Sequence, residues 1–180
     1  MSSNLIIGMA GSGGDGIVSA GDAFMAAAGS GGYHALLTKS FGPQIRGGES
    51  SCRLRVSTKP ILSAGGALDI AVALNWEDFL KFGAELPVGG ATSVVYDSRT
   101  GVPSDSLPLP GVVPREALAI PISELAKEAA GTERAKNSVV LGLLAEWTGL
   151  DHESILLGLR KRFDKKGPKH RQYVSVVPSQ

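Results

Sequence analysis

Six residues, Gly11-Ser-Gly-Gly-Asp-Gly16, carry the spacing GxGxxG and are the part of this chain best suited to hold an anion. Glycines permit a tight turn and let the backbone approach a phosphate. The exposed N–H groups and positive dipole end of a following helix then meet its charge. The motif carries weight only where a strand precedes it and a helix follows. Residues 4–10 form a compact apolar run that reads as a buried strand, and alanine-rich residues 17–28 read as a helix. Asp15 works against an anion unless it turns aside as a cap. A glycine turn required only for helix–strand packing is the alternative.

A dinucleotide site of the NAD type places Asp or Glu at the end of the second strand, on the ribose hydroxyls. Here that position reads Thr38-Lys39-Ser40. A cation and a hydroxyl suit a phosphomonoester, so a ligand with a phosphate on its ribose, NADP or coenzyme A, is favoured; an ordinary exposed lysine is the alternative. Arg46 lies in the glycine-rich string Phe41-Gly-Pro-Gln-Ile-Arg-Gly-Gly48. It could grip a phosphate or carboxylate through two N–H groups, pair with a neighbouring subunit, or face solvent. No catalytic or metal constellation emerges. His34, His152 and His170 lack metal-ligand spacing, and Trp76 and Trp147 read as packing residues. Cys52 falls on the inward side of an alternating segment, as a small buried residue rather than a reactive thiol.

The positioning elements follow from periodicity. Residues 33–38 form a second strand, completing a right-handed crossover if it pairs in parallel with the first. In residues 51–57, Cys52, Leu54 and Val56 alternate with Arg53, Arg55 and Ser57. A half-exposed strand follows, placed at a sheet edge or in an antiparallel hairpin toward Ile61-Leu62. Residues 69–74 and 92–97 read as buried strands with a helix over 77–85 between them. A short strand at 117–121 precedes helices capped by Ser123, Asn137 and Asp151. The fold class is α/β: a Rossmann-like, open, mostly parallel sheet with an antiparallel or edge strand and a helical C-terminal part. Residues 1–166 form one domain and 167–180 a tail or linker.

Composition narrows the function classes. The 180 residues are 43% hydrophobic and 19% charged, as in ordinary globular domains. One cysteine cannot form an internal disulfide or ligate an iron–sulfur cluster. The first apolar run is too short for a signal peptide or membrane span, which points to the cytoplasm and no membrane partner. Between Arg160 and Arg171, seven bases face one acid, while the net charge of the chain is +1. Only Phe163 and Tyr173 stand near this run, so it reads as a solvated helix end and tail rather than a nucleic-acid surface.

Taken together, these motifs resemble the gamma subunit, or gamma-type domain, of the 2-oxoacid:ferredoxin (acceptor) oxidoreductases. The likeness runs from Leu5 to about Phe163. It rests on the glycine turn, the loop Ser40-Phe-Gly-Pro-Gln-Ile-Arg-Gly-Gly-Glu-Ser50, Arg53-Leu-Arg-Val-Ser57, Asp69-Ile-Ala-Val-Ala-Leu-Asn75 and Asn137-Ser-Val-Val-Leu-Gly142. The resemblance implies a non-catalytic part of an enzyme that converts a 2-oxoacid and coenzyme A to acyl-CoA and CO2, passing electrons to ferredoxin. It implies thiamine diphosphate, Mg2+ and iron–sulfur clusters on alpha and beta partners. Here it implies Gly11, Ser12, Gly13, Gly14 and Gly16 near coenzyme A phosphates, with Lys39, Ser40 and Arg46 in the adjacent loop. Many relatives carry glutamine in place of Asp15. Some fuse this domain to the N-terminus of alpha, and Asn75-Trp-Glu-Asp-Phe79 looks closest to 2-oxoglutarate-type members. An autonomous NADP-binding oxidoreductase and a ligand-free assembly domain are the competing readings.

Overall fold

The computed structural model describes residues 4–43, 48–150 and 152–163. Its strands are β1 (Asn4–Gly11), β2 (His34–Phe41), β3 (Ser50–Ser57), β4 (Ile70–Ala73), β5 (Ser93–Asp97) and β6 (Glu116–Ile120). Its helices are α1 (Ile17–Ser30), α2 (Trp76–Lys81), α3 (Ile122–Ala130), α4 (Lys136–Thr148) and α5 (His152–Phe163). The strands form one sheet in the order β2-β3-β1-β4-β5-β6. β1, β4, β5 and β6 run parallel, whereas β3 is antiparallel to both β1 and β2.

Burial on two faces explains the unbroken apolar run of β1. Ile7 and Met9 point to one side, with Phe24, Leu54, Val72, Leu141 and Leu144. Ile6 and Ala10 point to the other, with Leu68, Trp76, Phe79 and Tyr96. Residues i and i+2 share a face, so a strand sandwiched between two cores must be apolar at every position. Helix α1 belongs to the first core and α5 lies along it.

The mostly parallel α/β sheet with one antiparallel strand agrees with the sequence expectation, but the place of that strand does not. β3 is interior, with β1 on one side and β2 on the other, and pairs with neither Ile61 nor Leu62. β1 and β2 therefore run parallel without pairing. The inward face of β3 is as expected, since Cys52, Leu54 and Val56 are buried. Its polar face survives in mid-sheet because oxygens of the segment after β3, of Glu85 beyond α2 and of Asn4 in β1 accept from its arginines. Arg53 donates to the oxygens of Gly66 and of Glu85 (3.3 Å), and Arg55 to Ser63 O (2.9 Å) and Asn4 Oδ1 (2.8 Å).

Helix starts also differ from expectation. α2 begins at Trp76, is capped by Asn75 and ends at Lys81, short of the expected residue 85. Ser123 does not cap α3: it lies inside the helix and gives its hydroxyl and its N–H to Asp97 Oδ2. Asn137 does not cap α4, which starts one residue earlier after Ala135. Asp151 lies outside the described residues. No helix among the described residues is long and apolar enough to cross a membrane.

Cys52 sits where β3 meets α1. Its Sγ donates to Ile17 O at 3.6 Å, and a Cβ on Gly21 would stand 2.9 Å from the sulfur, so only glycine permits this approach. Burial, with Asp22 adding to it, pushes the thiol up to about 12 from 9.0. A folded-state value above the unfolded one contributes stability below pH 9 that is lost as pH rises toward 12. Relative to Cys52→Ala, the wild type should lose about 1.4 kcal/mol per pH unit across that window, measured by urea unfolding. Iodoacetamide should label Cys52 at pH 8 only after denaturation.

Candidate functional site

The chain leaves β1 through the glycine turn toward β2 and β3, and leaves β4 toward β5 and β6. The crevice outside the carboxyl ends of β1 and β4 is thus the topological switch point of the sheet, where open α/β folds bind ligands. The glycine turn occupies it. Asp15 N–H donates to Ser12 O at 3.1 Å, closing the turn, and Gly13 and Gly14 are exposed. Gly16 is the N-cap of α1 with φ 77°, and no side chain caps that helix. The first-turn N–H groups of a 14-residue helix therefore face the crevice with no capping side chain.

Asp15 is turned aside. Its Oδ2 accepts from Ser12 N–H at 3.0 Å, and its Oδ1 lies 2.6 Å from Lys136 Nζ at the start of α4. Both side chains are mostly buried, at 14% and 9% exposure. The carboxylate is neutralised internally, so it opposes an incoming anion far less than a free one. Ser12 is also engaged: its hydroxyl donates to Asp78 Oδ2 at 2.5 Å. Asp78 in turn donates its N–H to Asn75 Oδ1 at 3.2 Å, the cap of α2, and its Oδ1 meets Lys81 Nζ at 3.3 Å. That bond to Asp78 is the main cause raising the Lys81 pKa.

The remaining sequence candidates are dispersed. Lys39 and Ser40 belong to β2, not to a loop, and β2 is two strands from β1, about 10 Å away. Lys39 pairs with Cys52 across the sheet and turns toward α1, where its Nζ lies 2.6 Å from Asp22. Ser40 falls in register with Ser51 and Ala10, on the opposite face. Arg46 lies outside the described residues. The flanks of its loop are tied together, Gly42 N–H donating to Glu49 O at 2.8 Å, and Ser50 pairs with Gly11 at the end of the glycine turn.

Sequence reasoning missed Asp78, Lys136 and Asn137 as neighbours of the turn. The available signal was a polar pair, Lys136-Asn137, immediately ahead of an apolar helix. Asn137 is 5% exposed, and its side chain lies against Gly16. Beside the turn, past Leu74, a cleft of about 350 Å³ opens between α2 and the end of β5, lined by Asn75, Trp76, Asp97, Arg99 and Thr100 among others. A second cleft, of about 430 Å³, lies at the opposite end of the strands, by Leu5, Asp69, Ser93, Glu116 and Trp147.

The model of the family described as pyruvate ferredoxin/flavodoxin oxidoreductase matches residues 6–174. The chain is 36% identical over 161 residues to the ketoisovalerate oxidoreductase subunit VorA of Methanothermobacter marburgensis, covering 88% of itself and 32% of that relative. It thus spans about a third of that protein's length. It superposes with a TM-score of 0.80 on 2-oxoglutarate:ferredoxin oxidoreductase from Magnetococcus marinus, a structure with 2-oxoglutarate, coenzyme A and succinyl-CoA bound. Identity is 31%, with 98% of this chain and 30% of that one covered. The gamma subunit of a keto/oxoacid ferredoxin oxidoreductase from Geobacter sulfurreducens matches end to end, 96% of each chain, at 26% identity and a TM-score of 0.69.

The turn tolerates no side chain at residue 16. A Cβ there would lie 2.9 Å from Asn137 Cβ, on a backbone of positive φ. Gly16→Ala should cost at least about 1–2 kcal/mol in urea unfolding from the backbone alone. Gly14→Ala shares the positive φ but meets nothing within 4 Å, so it should cost less.

Proposed function

The chain belongs to the pyruvate ferredoxin/flavodoxin oxidoreductase family as a gamma-type domain, and from that premise we propose that its glycine turn positions coenzyme A by a phosphate group. One observation carries this reading: at the switch point of the sheet, an uncapped helix N-terminus meets a turn whose single carboxylate is already paired with Lys136. Such a turn presents backbone donors without a free negative charge. Coenzyme A fits it through Gly13, Gly14, Gly16 and the first N–H groups of α1, while Gly11 and Ser12 hold the turn's shape. Arg46, between the hydrogen-bonded pair Gly42 and Glu49, is the cation we assign to the same ligand.

In this reading, the domain is one part of a complex in which a 2-oxoacid and coenzyme A yield acyl-CoA and CO2, with two electrons leaving toward ferredoxin. Coenzyme A supplies the thiol that takes the acyl group. This chain's residues bind and orient it and carry no bond-making step. Thiamine diphosphate with Mg2+ and the iron–sulfur clusters belong to alpha and beta partners or domains. One buried cysteine offers no ligand set for a cluster. A phosphomonoester on Lys39, the feature that favoured NADP equally, would have to displace Asp22.

Calorimetric titration of the full chain with coenzyme A, dephospho-coenzyme A and NADPH tests the ligand. Coenzyme A should bind tightest; NADPH binding more tightly than coenzyme A would overturn the assignment, and no binding at all would favour an assembly role. Arg46→Ala should weaken coenzyme A binding about tenfold or more, as expected for loss of a charge-assisted contact. Wild-type affinity in that variant removes Arg46 from the site.

A further inference from the structure

Asn137 stands out against the glycine turn because its amide oxygen is buried and meets no hydrogen-bond donor among the described residues. The residue is 5% exposed. Buried acceptors are nearly always satisfied, and an orphan beside a functional turn is a site where folding has been compromised for another purpose. Its position is specific. Asn137 Cβ, Cγ and Nδ2 stand 2.9–3.2 Å from the point a Cβ would occupy on Gly16, the residue that opens α1. The preceding residue, Lys136, holds Asp15 of the same turn. α4 itself begins without a side-chain cap, so two helix N-termini meet at one turn with an unsatisfied acceptor between them.

We propose that Asn137 is a ligand-reading residue of this site, its Oδ1 accepting a hydrogen bond from a hydroxyl or amide N–H carried next to the bound phosphate. A phosphate oxygen is an acceptor unless it carries a proton, and the diester phosphates inside coenzyme A carry none, so the donor for this atom has to come from the rest of the ligand. The ligand class is therefore an organic phosphate with a donor close to the phosphorus. This rests on the coenzyme A reading and deepens it. In coenzyme A, the pyrophosphate is flanked by the pantoate hydroxyl and its amide on one side and by the single free ribose hydroxyl on the other. Asn137 thereby separates coenzyme A from inorganic phosphates that the turn alone would accept.

The test is titration of the full-length wild type and Asn137→Ala with coenzyme A and with inorganic pyrophosphate, alongside thermal melting without ligand. Asn137→Ala should bind coenzyme A about tenfold more weakly and pyrophosphate within about twofold of wild type. Its ligand-free melting temperature should be unchanged or higher, since the variant deletes an unsatisfied buried group. Asn137→Ser, which keeps an acceptor, should recover part of the lost affinity. Between 4′-phosphopantetheine and ADP, the ligand weakened by Asn137→Ala identifies which hydroxyl is read. Equal losses for coenzyme A and pyrophosphate with a lower melting temperature would overturn the inference and make Asn137 a support for the turn. Unchanged coenzyme A affinity would also overturn it. A wild type that binds pyrophosphate but not coenzyme A would instead overturn the coenzyme A reading itself.

Discussion

The ion pair between Asp15 and Lys136, 2.6 Å long and mostly buried, is the interaction on which the site depends. Two charges removed from water are costly unless each is matched, and removal of either partner leaves an uncompensated buried charge. The pair is justified by what it arranges. It turns Asp15 inward so that its second oxygen closes the turn on Ser12 N–H, and it draws the start of α4 against Gly16. An element from the first quarter of the chain and one from the last third are joined at the point where the sheet reverses direction.

The interior placement of β3 sets the surroundings of that point. Between β1 and β2 it carries Cys52 and Leu54 under α1, and it keeps the end of β2 apart from the glycine turn by one full strand. The usual geometry in which the second strand delivers a residue to the ligand's ribose is thereby unavailable. Lys39, freed from that role, bonds Asp22 instead. The neighbours of the turn come from across the sheet: Asp78 from α2 and Lys136 with Asn137 from α4.

The glycine turn of this chain is braced by side chains from distant elements. Its polar side chains near the turn are engaged with one another, Ser12 with Asp78 and Asp15 with Lys136. Those contacts fix the backbone of the turn. Backbone N–H groups held in this way are prearranged, and prearranged donors lose little on binding.

Local period made much legible in the sequence alone. Six strands and the main helices fell near their observed places, because burial on one or two faces imposes period 2, period 3.6 or an unbroken apolar run. The glycine turn between β1 and α1, the inward face of Cys52 and the family resemblance were legible on the same terms. Arg46 was legible as a candidate but lies outside the described residues. Tertiary structure alone decided that β3 sits inside the sheet, that Lys39 is paired with Asp22, and that Asn137 abuts Gly16 rather than capping its helix. The reason is physical: periodicity reports which face of an element is buried, whereas strand neighbours and ion pairs depend on contacts between segments far apart in the chain. Asp15 shows the difference most plainly, since its residue type warned against an anion and only its partner, Lys136, removed the objection.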